Sequence, residues 1–170
     1  MSKIELRPMQ AEEAEAVAAL ARVVWQDTYR GIISQAQIDT MLAQRYSAEW
    51  MRAGLASGDV WWEVLLAGGE IVAFACYFLA CRPGEMKLDK LYVHPAHQRR
   101  GYGARLLGRV EAAARDQGCR TLMLAVNKRN LQAIAAYEKY GFTVREAVVQ
   151  DIGGGFVMDD YIMEKPLGET

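Results

Sequence analysis

Apolar and polar positions along this chain switch between the period of a strand and the period of a helix, and the switches divide it into elements. Ile4-Glu5-Leu6-Arg7 alternates as a short strand, which Pro8 is expected to stop. Val17, Leu20, Ala21 and Val24 then fall on one helical face behind Glu12, Glu13 and Glu15, acids placed where the helix dipole favours them. Gly31 ends that helix. Ser34 is an N-cap candidate for a helix carrying Ile38, Met41 and Leu42, and Ser47 is another for the segment 48–56. After Gly58-Asp59, two β-branched and aromatic runs, 60–67 and 71–80, are joined by Gly68-Gly69, a hairpin signal.

Arg82-Pro83-Gly84 makes the next turn, and 86–93 reads as a strand. Leu106, Leu107, Val110, Ala113 and Ala114 recur at helical spacing. Beyond Gly118 comes a buried strand, 120–126, followed by a helix, 130–140, with Gly141 as its C-cap. Finally, 142–149 and 156–164 are expected to pair across Gly153-Gly154-Gly155. The order reads β-α-α-β-β-β-α-β-α-β-β, an α/β domain around a mixed sheet.

A length of 170 residues, half of them apolar, suits one compact domain spanning 1–170. The net charge of −1 gives no general electrostatic reason to bind nucleic acid or an anionic membrane. Cys76, Cys81 and Cys119 are odd in number, which favours reduced thiols in a cytoplasmic protein. The N-terminal residues lack an apolar stretch of signal-peptide length, and the longest apolar run, 71–81, is too short to cross a bilayer. His94 and His97 flank Pro95 with no third ligand spaced nearby, so no metal is expected.

The chemistry concentrates in Gln98-Arg99-Arg100-Gly101-Tyr102-Gly103-Ala104, which lies between the strand ending Leu91-Tyr92-Val93 and a helix. Glycines let the backbone approach an anion closely, and the first amides of the helix point outward with the positive end of its dipole. Lys90 to Val110 contains no carboxylate that would repel a pyrophosphate. A Walker loop would need a Gly-Lys-Ser/Thr ending, and a dinucleotide fingerprint would need glycine where Leu106 stands.

What remains, Gln-x-x-Gly-x-Gly after Leu-Tyr-Val, resembles the acyl-CoA loop of the GNAT N-acetyltransferase superfamily. Downstream, the run from Asn127 through Asn130, Ala133 and Tyr137 to Gly141-Phe142 is similar to that family's Asn-x-x-Ala…Tyr-x-x-x-Gly-Phe segment. The resemblance implies a mixed, mostly antiparallel central sheet with splayed parallel strands, flanked by helices. It also implies an enzyme that takes acetyl-CoA as co-substrate and acetylates a primary amine by direct attack in a ternary complex. Many members pair as dimers, so a homodimer is one expectation.

The family pattern also suggests roles. Backbone amides of Gln98, Arg99, Arg100, Gly101, Tyr102, Gly103 and Ala104 would hold the CoA pyrophosphate, while main-chain groups of Leu91, Tyr92 and Val93 would bond the pantetheine arm and acetyl carbonyl. Asn130 corresponds to a position that bonds the cofactor arm, and Tyr137 to the hydroxyl that protonates the leaving sulfur. Where many relatives carry a glutamate, this chain has Lys87. Lysine is ill suited to take a proton from a cationic amine, which leaves Glu85, Asp89 or a chain of waters as the base. Strand alternation puts Asp89 on the face of Leu91 and Val93.

For the acceptor, the resemblance points to Trp25, Asp27, Thr28, Tyr29 and Ile33 on one side. Phe156, Met158, Asp159, Asp160 and Tyr161 are the candidates on the other. Asp159-Asp160 could take the second ammonium of a diamine or polyamine, and the chain's ending is similar to that of some polyamine-acetylating members. A peptide α-amine, an amino acid or an aminoglycoside-like sugar stays open. So does a module that senses acyl-CoA without turnover.

Overall fold

The computed structural model describes residues 3–168, which form two compact units. One comprises the chain up to Leu79 together with Leu88–Val110; the other comprises Ala80–Lys87 and the chain from Glu111 onward.

In the first unit, β1 (Ile4–Pro8), β2 (Trp61–Ala67) and β3 (Glu70–Leu79) form an antiparallel run. The β2–β3 hairpin turns on Gly68 and Gly69, both at positive φ (60° and 87°), the conformation that a two-residue turn matching the strand twist requires. Pro8 does not stop β1 but is its last paired residue, opposite Glu63. The strand lies at the sheet edge, where a missing N–H leaves no ladder bond unmade.

Three helices separate β1 from β2, one more than the order read from the sequence: α1 (Ala14–Tyr29), α2 (Gln35–Arg45) and α3 (Ala48–Ser57). Ser34 Oγ accepts from the Gln37 amide and Ser47 Oγ from the Trp50 amide, each at 3.1 Å. The second cap gives 48–57 its own start. α1 buries Val17, Leu20, Ala21 and Val24, the stripe its spacing predicts, and with them Trp25 and Tyr29, which the sequence offered for the acceptor side. Trp62, Val64, Leu65 and Phe74 are buried on β2 and β3.

Two elements contribute to both units: β4 (Glu85–Val93) and α4 (Tyr102–Asp116). In the second unit the strand order is β4, β5 (Thr121–Asn127), β7 (Phe156–Pro166), β6 (Thr143–Gly153). Glu85–Lys87 pairs in parallel with Thr121–Met123, and the remaining pairs are antiparallel. The fold class is therefore α/β, with seven mostly antiparallel strands and one parallel pair. A register shift at Val144/Glu146 marks a bulge at Arg145. α5 (Leu131–Lys139) starts at Asn130 and closes over Gly141, whose φ of 98° lets the Phe142 amide reach the Tyr137 carbonyl at 3.0 Å.

Candidate active site

The first unit carries the anion loop. β4 ends at Val93, and His94 turns the chain by accepting the Ala96 amide on Nδ1 at 3.0 Å while its own amide bonds the Val72 carbonyl at 2.8 Å. Gln98 folds back so that Nε2 donates to the Val93 carbonyl at 3.3 Å, tying the loop to the strand end. Arg99 is held at a positive φ of 67°, the left-handed region that a side chain rarely occupies, and Gly101 follows at 79°. At Gly101 a Cβ would meet open space, so the conformation and not crowding calls for glycine there.

The helical ladder of α4 begins with the Arg105 amide on the Gly101 carbonyl at 3.1 Å, so the amides of Tyr102, Gly103 and Ala104 lie ahead of it. Arg99 and Arg100 are exposed, and an Arg100 Nη1 lies 3.3 Å from His97 Nδ1. Amides ahead of the ladder, a helix dipole and two exposed guanidiniums, on a stretch without a carboxylate from Lys90 to Val110, form a seat for an anion such as a diphosphate.

Leu91, Tyr92 and Val93 are half-buried at the end of β4. The Tyr92 hydroxyl lies 2.9 Å from that of Tyr29 and is also bonded to that of Tyr46. Trp25 packs on Tyr29 with ring centroids 4.3 Å apart and on Tyr92 at 6.2 Å. Two residues proposed for the acceptor, Trp25 and Tyr29, thus join the strand end proposed for the cofactor. Burial is the main cause that raises the phenols of Tyr46 and Tyr92 well above the usual tyrosine value. Asp89 is bonded to the ammonium of Lys90, a residue that sequence reasoning passed over. Its signal was present: Lys90 shares the alternation of Met86 and Leu88 on the apolar face.

Also in this unit, buried Glu63 of β2 accepts from the Tyr77 hydroxyl at 3.0 Å and from Arg109 Nε of α4 at 2.9 Å. That network moors the helix that opens at the anion loop.

The second unit holds Glu85, Asn130, Tyr137, Asp159 and Asp160. Glu85 Oε2 accepts from Arg145 Nη1 at 2.9 Å, and the same nitrogen lies 3.2 Å from Glu164. Asn130 Oδ1 caps α5, accepting the Ala133 amide at 3.3 Å. The Tyr137 ring meets Phe142 edge-on, centroids 5.4 Å apart. Asp159 pairs with Lys128 Nζ at 2.6 Å, and the same ammonium stands 5.6 Å from the Tyr161 ring. Hydrogen bonding to Asp159 raises the Lys128 pKa. Asp160 is 6% exposed, opposite Asn127 in the β5–β7 register.

Among the described residues no group of three His, Cys, Asp or Glu could hold a metal ion, and no helix is long and apolar enough to cross a membrane. Cys76, Cys81 and Cys119 are free thiols.

A family model described as the acetyltransferase (GNAT) family matches residues 17–142, which include the anion loop, Asn130 and Tyr137. The chain belongs to this family. As a GNAT member it is an N-acetyltransferase. Its relatives include a spermidine N(1)-acetyltransferase of Thermoplasma acidophilum, 27% identical over 164 residues, covering 95% of this chain and 96% of that one. An aminoglycoside N(6′)-acetyltransferase type 1 of Stenotrophomonas maltophilia is 42% identical over 62 residues, 36% of this chain and 40% of that one. Among solved structures, the PaiA N-acetyltransferase of Thermoplasma acidophilum in complex with coenzyme A superposes with a TM-score of 0.83 at 26% identity, covering 96% of this chain and 99% of that one.

Proposed function

We propose that this GNAT enzyme moves the acetyl group of acetyl-CoA to a primary amine by direct attack in a ternary complex, and that its acceptor is a polyamine. The observation that carries the cofactor half is the loop at Gln98–Ala104, with Arg99 and Gly101 at positive φ and three amides ahead of the α4 ladder. Those amides bind the diphosphate of the donor, and Arg99 and Arg100 add charge-assisted bonds. Main-chain groups of Leu91, Tyr92 and Val93 receive the pantetheine arm and the acetyl carbonyl. A preorganised amide there is worth about 3–4 kcal/mol in the transition state, as for other oxyanion donors.

Asn130 bonds the cofactor arm while capping α5, and Tyr137 gives a proton to the departing thiolate. A thiolate of conjugate-acid pKa about 8.5 leaves more readily when a phenol of pKa about 10 hydrogen-bonds or protonates it. Of the two base candidates we favour Asp89. Glu85 and Asp89 each pair with a cation, Arg145 and Lys90, but Asp89 is four residues nearer the strand end that receives the acetyl group.

The polyamine rests on the spermidine acetyltransferase that the chain resembles over nearly its whole length, and on Asp159-Asp160. The pairing of Lys128 with Asp159, beside the Tyr161 ring, supports an affinity of this strand for an alkylammonium. The aminoglycoside acetyltransferase resembles a shorter stretch and supplies the competing acceptor class. The test is coenzyme A release with a panel of spermidine, simple monoamines, amino acids and an aminoglycoside. The expected result is highest kcat/KM with spermidine, and a larger rise in KM for spermidine than for monoamines in Asp160→Asn. Equal KM changes for both would remove the second-ammonium role, and acetyl-CoA binding without turnover on any amine would leave only a sensor.

A further inference from the structure

β4 carries a lysine where its alternation calls for an apolar side chain. Met86, Leu88 and Lys90 are buried, and Lys90 is 2% exposed. A buried ammonium is costly unless other groups replace its water. Here the Nζ lies over the Trp50 ring at 4.5 Å, the Tyr46 ring at 4.7 Å and the Trp62 ring at 5.7 Å, and it pairs with the Asp89 carboxylate. The three π faces, one from α3, one from the residue that ends α2 and one from β2, replace part of its hydration. Asp89 balances its charge.

The other titratable groups at this place are Tyr46, Cys76 of β3, and Tyr29 and Tyr92, which reach the pair through Tyr46. Burial, ahead of any neighbouring charge, keeps Tyr46, Tyr92 and Cys76 in their neutral forms. A buried ion pair is a weak source of stability, since apolar side chains of similar volume often do as well. What a caged lysine adds is a fixed direction: rings on several sides hold the ammonium still, and the ammonium holds one carboxylate.

We infer that Lys90 is a positioning residue that fixes the Asp89 carboxylate in the orientation in which it takes the proton from the acceptor's ammonium. In that step an N–H bond of the ammonium breaks, its electron pair stays on nitrogen, and an O–H bond forms on Asp89. The inference rests on Asp89 as the base, and the variants separate the two ideas.

The experiment measures kcat and both KM values with the amine preferred in the panel, counting rates per coenzyme A binding site by calorimetry so that unfolded molecules drop out. Asp89→Asn is expected to lower kcat about 100-fold, the scale of a lost general base. Lys90→Met lowers kcat at least about tenfold with KM for acetyl-CoA within about twofold, Lys90→Arg restores most of the loss, and the double variant falls no further than Asp89→Asn, because two groups acting through one step are not additive. An unchanged kcat in Asp89→Asn removes Asp89 as the base and this inference with it. Loss in Asp89→Asn with full kcat in Lys90→Met, or losses that multiply in the double variant, overturns the positioning role alone. If Lys90→Met does not fold, Lys90→Gln, which keeps a hydrogen-bond donor without the charge, takes its place in the same cycle. A kcat loss that is absent on the Asp89→Asn background supports the coupling, and full kcat in Lys90→Gln, or an equal loss on both backgrounds, overturns it.

Discussion

Tyr137 stands on α5 with its ring against Phe142 and its carbonyl bonded to the Phe142 amide, so its backbone and ring are held by the same turn that closes the helix. Removing only its hydroxyl leaves that packing in place. Tyr137→Phe is therefore expected to lower kcat by about 100-fold or more, the range of a lost proton donor, with KM for acetyl-CoA little changed. Steady-state kinetics with saturating amine reads this, and an unchanged kcat would assign the tyrosine to the core alone. At this scale the sequence was informative about residue types and poor about their partners. Arg145 and Glu85 are sixty positions apart and meet through the pairing of β4, β5, β7 and β6, a register that no local pattern states. Lys90 was missed for a different reason: a cation in a strand is ordinarily read as solvent-facing, and only its neighbours Met86 and Leu88 show which face it takes.

The elements were the most legible part, because their signals are local. The caps at Ser34 and Ser47, the Gly68-Gly69 hairpin and the Gly141 closure follow from short-range hydrogen bonds and φ requirements. Ser47→Ala should thus cost about 1 kcal/mol by removing the bond to the Trp50 amide. Denaturant unfolding checks it, and no change in midpoint would mean that α3 is held by packing alone. β6 shows where local signals fail. The sequence places its end at Val149, yet the strand runs to Gly153 because Gln150 and Asp151 pair with Met158 and Val157 of β7. Cross-strand pairing carries polar residues of low strand propensity into the ladder.

For the whole molecule, family membership and fold agree with what two motifs imply, whereas the candidate residues for the acceptor belong to no motif. The account depends on one physical claim, that main-chain donors at the start of α4 hold a diphosphate. Titration calorimetry with coenzyme A, compared with pantetheine, which lacks the diphosphate and nucleotide, tests it most directly. The account predicts saturable heat at one coenzyme A per chain, a clear weakening of binding as salt is raised, and at least about a hundredfold weaker binding of pantetheine, a loss of about 2.7 kcal/mol. Equal affinity for the two ligands, or no heat with coenzyme A up to about a millimolar, would contradict it.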